Sequence, residues 1–249
     1  MEPLITVVIP TYKGESHVSA CASAVLSSCA DLPVSILFVD DGSPDRTWEQ
    51  IYRLNKALPQ VSGIRLAENY GQQTATFAGL IRVKTPWAVT MDDDLSHNPD
   101  DIPRLLEEGK KGYDLVYAVP KNSPGCRKTR SFSRKAGTLL HDILFFFLFP
   151  RYGGIRITSF RIMNSRIIQN LKKYPRRFIY VSGIALSTGP KVSQIEVHSN
   201  NKPASRYSYW KLSMLFLRLA LHYSPLRHIL PKSGKTAEIK TADTLGLQK

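Results

Sequence analysis

The first 120 residues alternate short apolar runs with helical patterns, and this alternation constrains the fold more than any other feature. The runs LITVVIP and SILFVD are continuously apolar, which is typical of strands buried on both faces of a parallel sheet. An α/β fold is therefore predicted, with a mostly parallel open sheet and helices on both faces. The predicted strands are Leu4–Pro10, Ser35–Asp40, Gly63–Leu66, Trp87–Met91 and Leu115–Val119, and the predicted helices are Ser16–Ser28, Asp45–Leu58, Gln72–Val83 and Asp101–Lys111.

Charge is distributed unequally along the 249 residues, whose formal net charge is +14. Residues 1–120 hold 10 Lys and Arg against 16 Asp and Glu, whereas residues 121–249 hold 24 against 4. A strongly basic half indicates an anionic partner, such as phosphate groups or a membrane surface. We predict no nucleic-acid partner, because the aromatic residues of this half cluster in apolar runs instead of alternating with Lys and Arg.

The composition also bears on where the protein works. Three cysteines are too few and too irregularly spaced for a disulfide framework, which favours a reducing compartment. No uncharged apolar stretch reaches the roughly 18 residues of a transmembrane helix, and no signal peptide is evident. We therefore expect a cytoplasmic protein.

Carboxylates follow two of the predicted strands at the point where each strand ends. Asp40 and Asp41 end the second strand, and Asp92-Asp93-Asp94 follow the fourth. Ligands of open α/β sheets bind beyond the carboxyl ends of the strands, so this edge is where we expect the chemistry. The glycine patterns of a dinucleotide-binding fold and of a P-loop are absent.

The acidic triplet predicts a metal site. In strand geometry Asp92 and Asp94 point to one side and Asp93 to the other. Two converging carboxylates repel each other unless a cation lies between them, and Mg²⁺ or Mn²⁺ suits such oxygens and also binds substrate phosphates. An acidic turn that caps the next helix is the alternative. At the same edge, Asp40 could accept a hydrogen bond from a nucleobase and Tyr12 could stack on it.

Four segments carry a family resemblance by their order and spacing: Pro10-Thr11-Tyr12-x-x-Glu15, Asp40-Asp41-Gly42-Ser43, Asn69-x-Gly71 and Asp92-x-Asp94. Over roughly residues 4–228 the chain resembles inverting, GT-A-fold glycosyltransferases of family 2, within them the dolichyl-phosphate mannose synthase and polyprenyl-phosphate glycosyltransferase branch. The resemblance implies a nucleotide-sugar donor, with Asp92 and Asp94 as ligands of Mg²⁺ or Mn²⁺. The nucleotide-binding residues it implies are Pro10, Thr11, Tyr12, Glu15, Asp40, Asp41, Asn69, Gly71, Asp92 and Asp93.

Two segments of the second half extend the resemblance toward a lipid phosphate acceptor. Residues 157–161 (ITSFR) resemble the family segment that ends in Phe-Arg, and residues 205–208 (SRYS) resemble its Ser-Lys-Tyr-Ser signature. The chain departs from the family at Ser159, where many members have Asp, at Ser96, where Gln is common, and at Lys13-Gly14. The resemblance implies Asp94, Arg161 and Arg206 as catalytic residues and Arg134, Arg161, Ser205 and Arg206 as ligands of the acceptor phosphate.

Two amphipathic helices are predicted to lie on an anionic membrane surface. One ends in Phe145–Phe149 after the basic stretch Arg127–Lys135, and the other spans Tyr209–Tyr223. Helices packed on the catalytic domain are the alternative. We predict one domain over residues 1–228, with a nucleotide-sugar half (1–120) and a basic acceptor half (121–228), then a polar tail (229–249). The family's membrane spans are missing, so the protein would be peripheral on the cytoplasmic face, with a possible membrane-spanning partner.

An absence supports the phosphate acceptor. No Asp or Glu occurs in residues 143–195, where the base that deprotonates a hydroxyl acceptor would be expected. A phosphate monoester has a second pKa of about 6 and needs no such base at neutral pH. We therefore predict inverting transfer of the sugar to a polyprenyl phosphate. A hydroxyl acceptor and a non-catalytic homologue that binds only the donor remain alternatives.

Overall fold

The computed structural model describes residues 2–121, 149–175, 179–198 and 239–246. All nine elements predicted within the first 120 residues are present. They are β1 (Ile5–Thr11), α1 (Val18–Ser28), β2 (Val34–Asp40), α2 (Thr47–Ala57), β3 (Val61–Leu66), α3 (Gln72–Leu80), β4 (Trp87–Thr90), α4 (Ile102–Lys110) and β5 (Leu115–Pro120). The later elements are β6 (Arg161–Asn164), α5 (Ser165–Lys172), α6 (Val181–Ser187), β7 (Val192–Val197) and β8 (Thr241–Leu245).

The strands form one sheet in the order β7-β5-β6-β4-β1-β2-β3-β8. The central strands β4, β1, β2 and β3 are parallel, as predicted. Strand β6 lies antiparallel between β4 and β5, so β5 is not the direct neighbour of β4. The sequence did not reveal β6, because four residues are too few for a clear strand pattern. Its position brings residues 159–161 next to the end of β4.

Helices cover both faces of the sheet, in agreement with the prediction from the continuous apolar runs. On one face Val8 of β1 packs in a core with residues of α3, α5 and α6. On the other face Val7 and Ile9 of the same strand pack with residues of α1, α2 and α4. Successive side chains of β1 therefore enter opposite cores, and polar groups are confined to the ends of the strand.

Strand β8 lies within the segment that the sequence predicts to be a polar tail. It pairs antiparallel with β3, and the indole N–H of Trp48 donates to Asp243 at 3.3 Å. Four of its five residues are exposed, so backbone pairing rather than apolar burial holds it on the sheet. The sequence Thr-Ala-Asp-Thr-Leu has no apolar run that could have indicated a strand.

The predicted membrane-surface helices lie outside the described residues, apart from Phe149. This residue, at the end of the first apolar segment, is buried in the core of the α3 face. Among the helices of the described ranges, none is both long and apolar enough to cross a membrane. The orientation of the basic stretch Arg127–Lys135 stays a prediction.

A buried carboxylate joins three strands at the amino end of β5. The Asp114 side chain accepts hydrogen bonds from the Asn164 amide and the Lys191 backbone N–H, both at 2.8 Å, and pairs with the Arg166 guanidinium at 3.1 Å. Burial alone would raise the pKa of Asp114, but these donors together hold it below its ordinary value. The ionised form of Asp114 therefore stabilises the folded chain.

We expect Asp114→Asn to lower the free energy of unfolding at pH 7 by about 1–3 kcal/mol, because it removes the charge and leaves donors unpaired. The folded pKa lies below the unfolded value of about 4, so the contribution is complete above that value and is lost as the pH falls through the lower folded pKa. Urea unfolding at pH 7 and near pH 3 tests this. The exposed Asp31→Asn is the control, and equal stability of all three proteins at pH 7 would contradict the prediction.

Candidate active site

The carboxyl ends of β1, β2 and β4 meet at one edge of the sheet and surround a cavity of about 320 Å³. A larger cavity, of about 500 Å³, lies at the opposite, amino end of these strands, and its described lining contains no carboxylate. The acidic groups are thus gathered around the smaller cavity, which is where ligands of such sheets bind. Its lining residues are Pro10, Thr11, Tyr12, Asp41, Gln72, Asp92, Asp93 and Asp94.

Asp92 is held by side chains from three separate parts of the chain. Its Oδ1 accepts from the Gln72 amide at 2.5 Å, and its Oδ2 accepts from the Ser159 hydroxyl at 3.0 Å. The His97 Nε2 lies 3.4 Å from the same Oδ2 and 3.1 Å from the Ser159 Oγ. The His97 ring stacks on Phe160 at a centroid distance of 5.1 Å. The antiparallel strand β6 makes this arrangement possible, because residues 159 and 160 immediately precede it.

Asp93 is directed away from these partners, toward β1. Its Oδ2 accepts from the Thr11 hydroxyl at 2.5 Å. Burial, together with the negative charges of Asp92 and Asp94, raises the pKa of Asp93 against the opposing effect of the Thr11 hydrogen bond. Gly14 lies directly over this pair: a β-carbon at residue 14 would clash with the Thr11 Oγ1 and lie 2.7 Å from the Asp93 Oδ2. The departure Lys13-Gly14 thus has a steric reason.

The triplet suits a hard divalent cation. Within the described ranges neither Asp92 nor Asp93 is paired with Lys or Arg, and no group of three His, Cys, Asp or Glu side chains is arranged to hold a metal. The concentrated charge also acts on Cys21 of α1. Burial, followed by the three aspartates, raises the pKa of the Cys21 thiol to about 12. Asp92 and Asp94 therefore fit a cation whose remaining ligands come from a diphosphate, from water or from neutral oxygens.

The second acidic motif positions the loop before α3. The carboxylate oxygens of Asp41 accept from the backbone N–H groups of Tyr70 and Gly71, each at 2.8 Å. Gly42 has φ +68°, and a β-carbon there would lie 2.6 Å from the Glu68 carbonyl carbon, so glycine permits the close approach. These hydrogen bonds join the loop before α3 to the turn after β2, and Gln72 therefore lies next to Asp92.

Asp40 is fully buried and does not line the cavity, and among the described residues one of its oxygens has no hydrogen-bond donor. Its Oδ1 accepts from the Ser43 N–H at 2.9 Å, whereas its Oδ2 lies 3.5 Å from the Arg65 Nε. Burial raises the pKa of Asp40 despite these neighbours. The Oδ2 at the end of β2 thus has an ion-pair contact with Arg65 but no hydrogen bond within the described ranges, and a buried carboxylate oxygen usually accepts one.

The remaining predicted nucleotide residues are divided between the cavity and its surroundings. Tyr12 is 45% exposed and borders the cavity, with the Lys13 Nζ 5.5 Å from its ring centroid. Glu15 pairs with Arg46 at 2.8 Å and does not line the cavity. Asn69 is exposed and also lies outside the lining, while Gly71 has φ +89° at the start of α3.

Arg161 is buried and does not line the cavity. Its guanidinium donates to the Ser182 hydroxyl and lies 5.9 Å from the Tyr117 ring centroid, while its Nε and the Tyr117 hydroxyl have no hydrogen-bond partner in the part of the chain that the structure describes. Arg134, Ser205 and Arg206 lie outside the described residues. The sequence reasoning missed Gln72 and His97, because nothing local to them indicates contacts 20 residues and 62 residues away.

Comparisons with known proteins show which family the chain resembles. The model of the family "Glycosyl transferase family 2" matches residues 6–182. The undecaprenyl-phosphate 4-deoxy-4-formamido-L-arabinose transferase of Aeromonas hydrophila is 35% identical over 222 residues, which cover 86% of this chain and 65% of that protein. An uncharacterised glycosyltransferase of Bacillus subtilis is 28% identical over 228 residues, covering 86% of this chain and 65% of its own length. The chain thus spans about two thirds of the length of these relatives.

Solved structures share the fold at low sequence identity. Glucosyl-3-phosphoglycerate synthase from Mycobacterium tuberculosis, in complex with Mn²⁺, uridine diphosphate and phosphoglyceric acid, matches with a TM-score of 0.63 and 18% identity over 93% of this chain and 80% of that one. Mannosyl-3-phosphoglycerate synthase from Rubrobacter xylanophilus matches with a TM-score of 0.64 and 13% identity, over 95% and 78%. The family match covers well over half of the chain and confirms the predicted family: the chain belongs to glycosyl transferase family 2.

Proposed function

We propose that the protein transfers a sugar from a nucleotide-diphosphate sugar to a polyprenyl phosphate, with inversion at the anomeric carbon and with a divalent cation. The observation that carries this proposal is the cavity where Asp92, Asp93 and Asp94 meet Tyr12 at the carboxyl edge of a family 2 sheet. An aromatic ring beside clustered carboxylates suits a nucleoside followed by a metal-bound diphosphate. The relatives named as undecaprenyl-phosphate transferases support the acceptor class.

The nucleotide sugar would lie along the carboxyl ends of β1 and β2. Tyr12 would stack on the base, and the Asp40 Oδ2, for which the described residues offer no hydrogen-bond donor, would accept a base N–H. Pro10 and Thr11 border the same cavity, while Asp41 and Gly71 shape the loop that closes it. Glu15 and Asn69 stay predicted nucleotide residues that act from outside the lining.

The cation would be held by Asp92 and Asp94. Bound there, Mg²⁺ or Mn²⁺ neutralises the charge that grows on the leaving nucleotide diphosphate. The Gln72, Ser159 and His97 side chains orient Asp92 toward the cavity. A structural relative that binds Mn²⁺ together with uridine diphosphate supports a divalent cation, without distinguishing Mn²⁺ from Mg²⁺.

The acceptor side is proposed to bind a phosphate. Within the described residues Arg161 has no carboxylate partner although it is only 3% exposed, so a positive charge is buried beside Ser182 without a counter-ion. A buried unpaired charge is costly, and a phosphate oxygen nearby would offset that cost. Arg134, Ser205 and Arg206 would complete the phosphate site, and no base would be needed.

A hydroxyl acceptor is the second candidate function. It is favoured by one contact, the 3.1 Å approach of the His97 Nε2 to the Ser159 Oγ, which places an imidazole nitrogen at the acceptor side of Asp92. One structural relative, a glucosyl-3-phosphoglycerate synthase, is in complex with the small molecule phosphoglyceric acid. Comparing sugar transfer to polyprenyl phosphate and to soluble hydroxyl acceptors separates the two candidates.

The first test concerns the metal ligands. We expect Asp92→Asn and Asp94→Asn each to reduce sugar transfer at least about 100-fold while the fold stays intact, because either change removes a ligand oxygen. Transfer from a panel of UDP-, GDP- and dTDP-sugars with Mn²⁺ or Mg²⁺ measures this. Glu49→Gln, which changes an exposed carboxylate of α2, is the control. Full activity in EDTA, or in both Asn variants, would contradict the metal site.

The second test concerns the acceptor phosphate. Arg206→Ala should cost about 2–3 kcal/mol, or one to two decades in rate, and Arg206→Lys should recover part of this. Ser159→Ala should stay within about tenfold of wild type, because it removes one of several contacts that hold the Asp92 carboxylate and no base. The rate should fall at low pH near the phosphate pKa of about 6. An inactive Ser159→Ala beside an active Arg206→Ala would favour the hydroxyl acceptor instead.

The third test concerns the membrane, where the protein is proposed to bind the cytoplasmic face peripherally, with a membrane-spanning partner possible. Each Lys or Arg near an anionic surface contributes about 1 kcal/mol. The double variant Arg127→Gln/Arg130→Gln should therefore bind anionic vesicles at least tenfold more weakly in a sedimentation assay. Arg53→Gln/Lys56→Gln, an equal change of charge on exposed α2, should bind like wild type. Equal recovery of wild type with anionic and neutral vesicles would overturn the proposal.

A further inference from the structure

Gln72 stands out because its side chain contacts a proposed metal ligand from a different element. It is the first residue of α3, it lines the cavity, and its amide lies 2.5 Å from the Asp92 Oδ1. Its backbone is fixed on both sides, since Asp41 holds the preceding Gly71 N–H and the Thr76 hydroxyl donates to the Gln72 carbonyl at 2.8 Å. The loop before α3 therefore fixes the position of the Gln72 amide next to Asp92.

The cation needs more oxygen ligands than the two carboxylates supply. Mg²⁺ is six-coordinate, and one or two carboxylates, substrate phosphates and water usually complete its shell, so one further protein oxygen can take the place of a water. Asp93 is engaged with Thr11 on the other side, and in the described ranges no third His, Cys, Asp or Glu joins Asp92 and Asp94 in a metal cluster. His97 offers nitrogen, which hard cations accept less readily than oxygen. A third protein ligand would thus be a neutral oxygen.

A glutamine amide can change its role by rotating. Beside an ionised carboxylate, the NH₂ group faces the oxygen, because only that end donates. With a cation on Asp92, the amide oxygen becomes the favourable end, and the terminal torsion of Gln is broad, so the reversal costs little. Neighbouring ligand oxygens around Mg²⁺ lie about 3 Å apart, so the Gln72 side chain would need to move by only roughly half an ångström.

We propose that Gln72 is a third protein ligand of the divalent cation through its side-chain amide oxygen, and that its amide reverses when the cation binds. This inference rests on the proposed metal site. It gives the loop before α3 a direct part in metal binding, since Asp41 holds that loop by its backbone. A purely orienting Gln72 would instead keep donating its NH₂ group to the Asp92 Oδ1 with the cation bound.

The two roles predict different effects of Gln72→Glu on metal affinity, because a carboxylate can bind the cation but cannot donate a hydrogen bond to Asp92. We would titrate the full chain with Mn²⁺, alone and with UDP or GDP, and measure free Mn²⁺ by electron paramagnetic resonance. Gln72→Leu should weaken Mn²⁺ binding about tenfold or more, and loss of a residue that only orients a ligand has a similar effect. Gln72→Glu, which keeps an oxygen and adds charge, should bind at least as tightly as wild type. The control Gln73→Ala removes an adjacent amide that accepts from the Val181 N–H, and it should not alter the affinity.

Each outcome bears on the inference separately from the proposed function. Unchanged or tighter Mn²⁺ binding in Gln72→Leu, with loss of binding in Asp92→Asn, would overturn the role of Gln72 and leave the metal site standing. Weaker binding in Gln72→Glu would also overturn it, and it guards against a Leu variant that fails to fold. If wild type binds no Mn²⁺ under any condition, the metal site and the role of Gln72 fall together.

Discussion

Both faces of the central strands are buried, so polar groups on these strands can lie only at their ends. Strands β1, β2 and β4 run in the same direction, and their carboxyl ends therefore deliver Thr11, Asp40 and Asp92 to one edge of the sheet. Apolar packing on both sides drives this arrangement, whereas the acids oppose it through their mutual repulsion. The free energy gained by packing the two cores therefore keeps these carboxylates together, although their mutual repulsion disfavours it.

The antiparallel strand β6 brings a second segment of the chain, residues 159–161, to this edge of the sheet. Because β6 begins beside the end of β4, Ser159 and Phe160 reach Asp92 and His97. Arg161, the first residue of the same strand, lies buried next to Ser182. The acidic strand ends and the segment before β6 are therefore joined by a few hydrogen bonds, although Asp92 and Ser159 lie 67 positions apart in the chain.

The sequence allowed the first half of the fold to be predicted because its strands are continuous apolar runs of Val, Ile and Leu. It did not allow β6 or β8 to be predicted, since the first is too short and the second is polar and held by backbone pairing. For the site, the acidic positions followed from strand ends. The contacts of Gln72 and His97 did not, because long-range side-chain contacts leave no local pattern. Nor did the burial of Arg161, which depends on α6 packing over the sheet.

The close approach of Gly14 to the Thr11–Asp93 hydrogen bond has an evolutionary consequence. Any side chain at position 14 would displace one of these two partners, so the three positions cannot change independently. A lineage that replaces Asp93 or shortens the residue at 11 gains room at 14, and one that retains both is restricted to glycine there. Positions 11, 14 and 93 should therefore covary among relatives that have the same spacing in this loop.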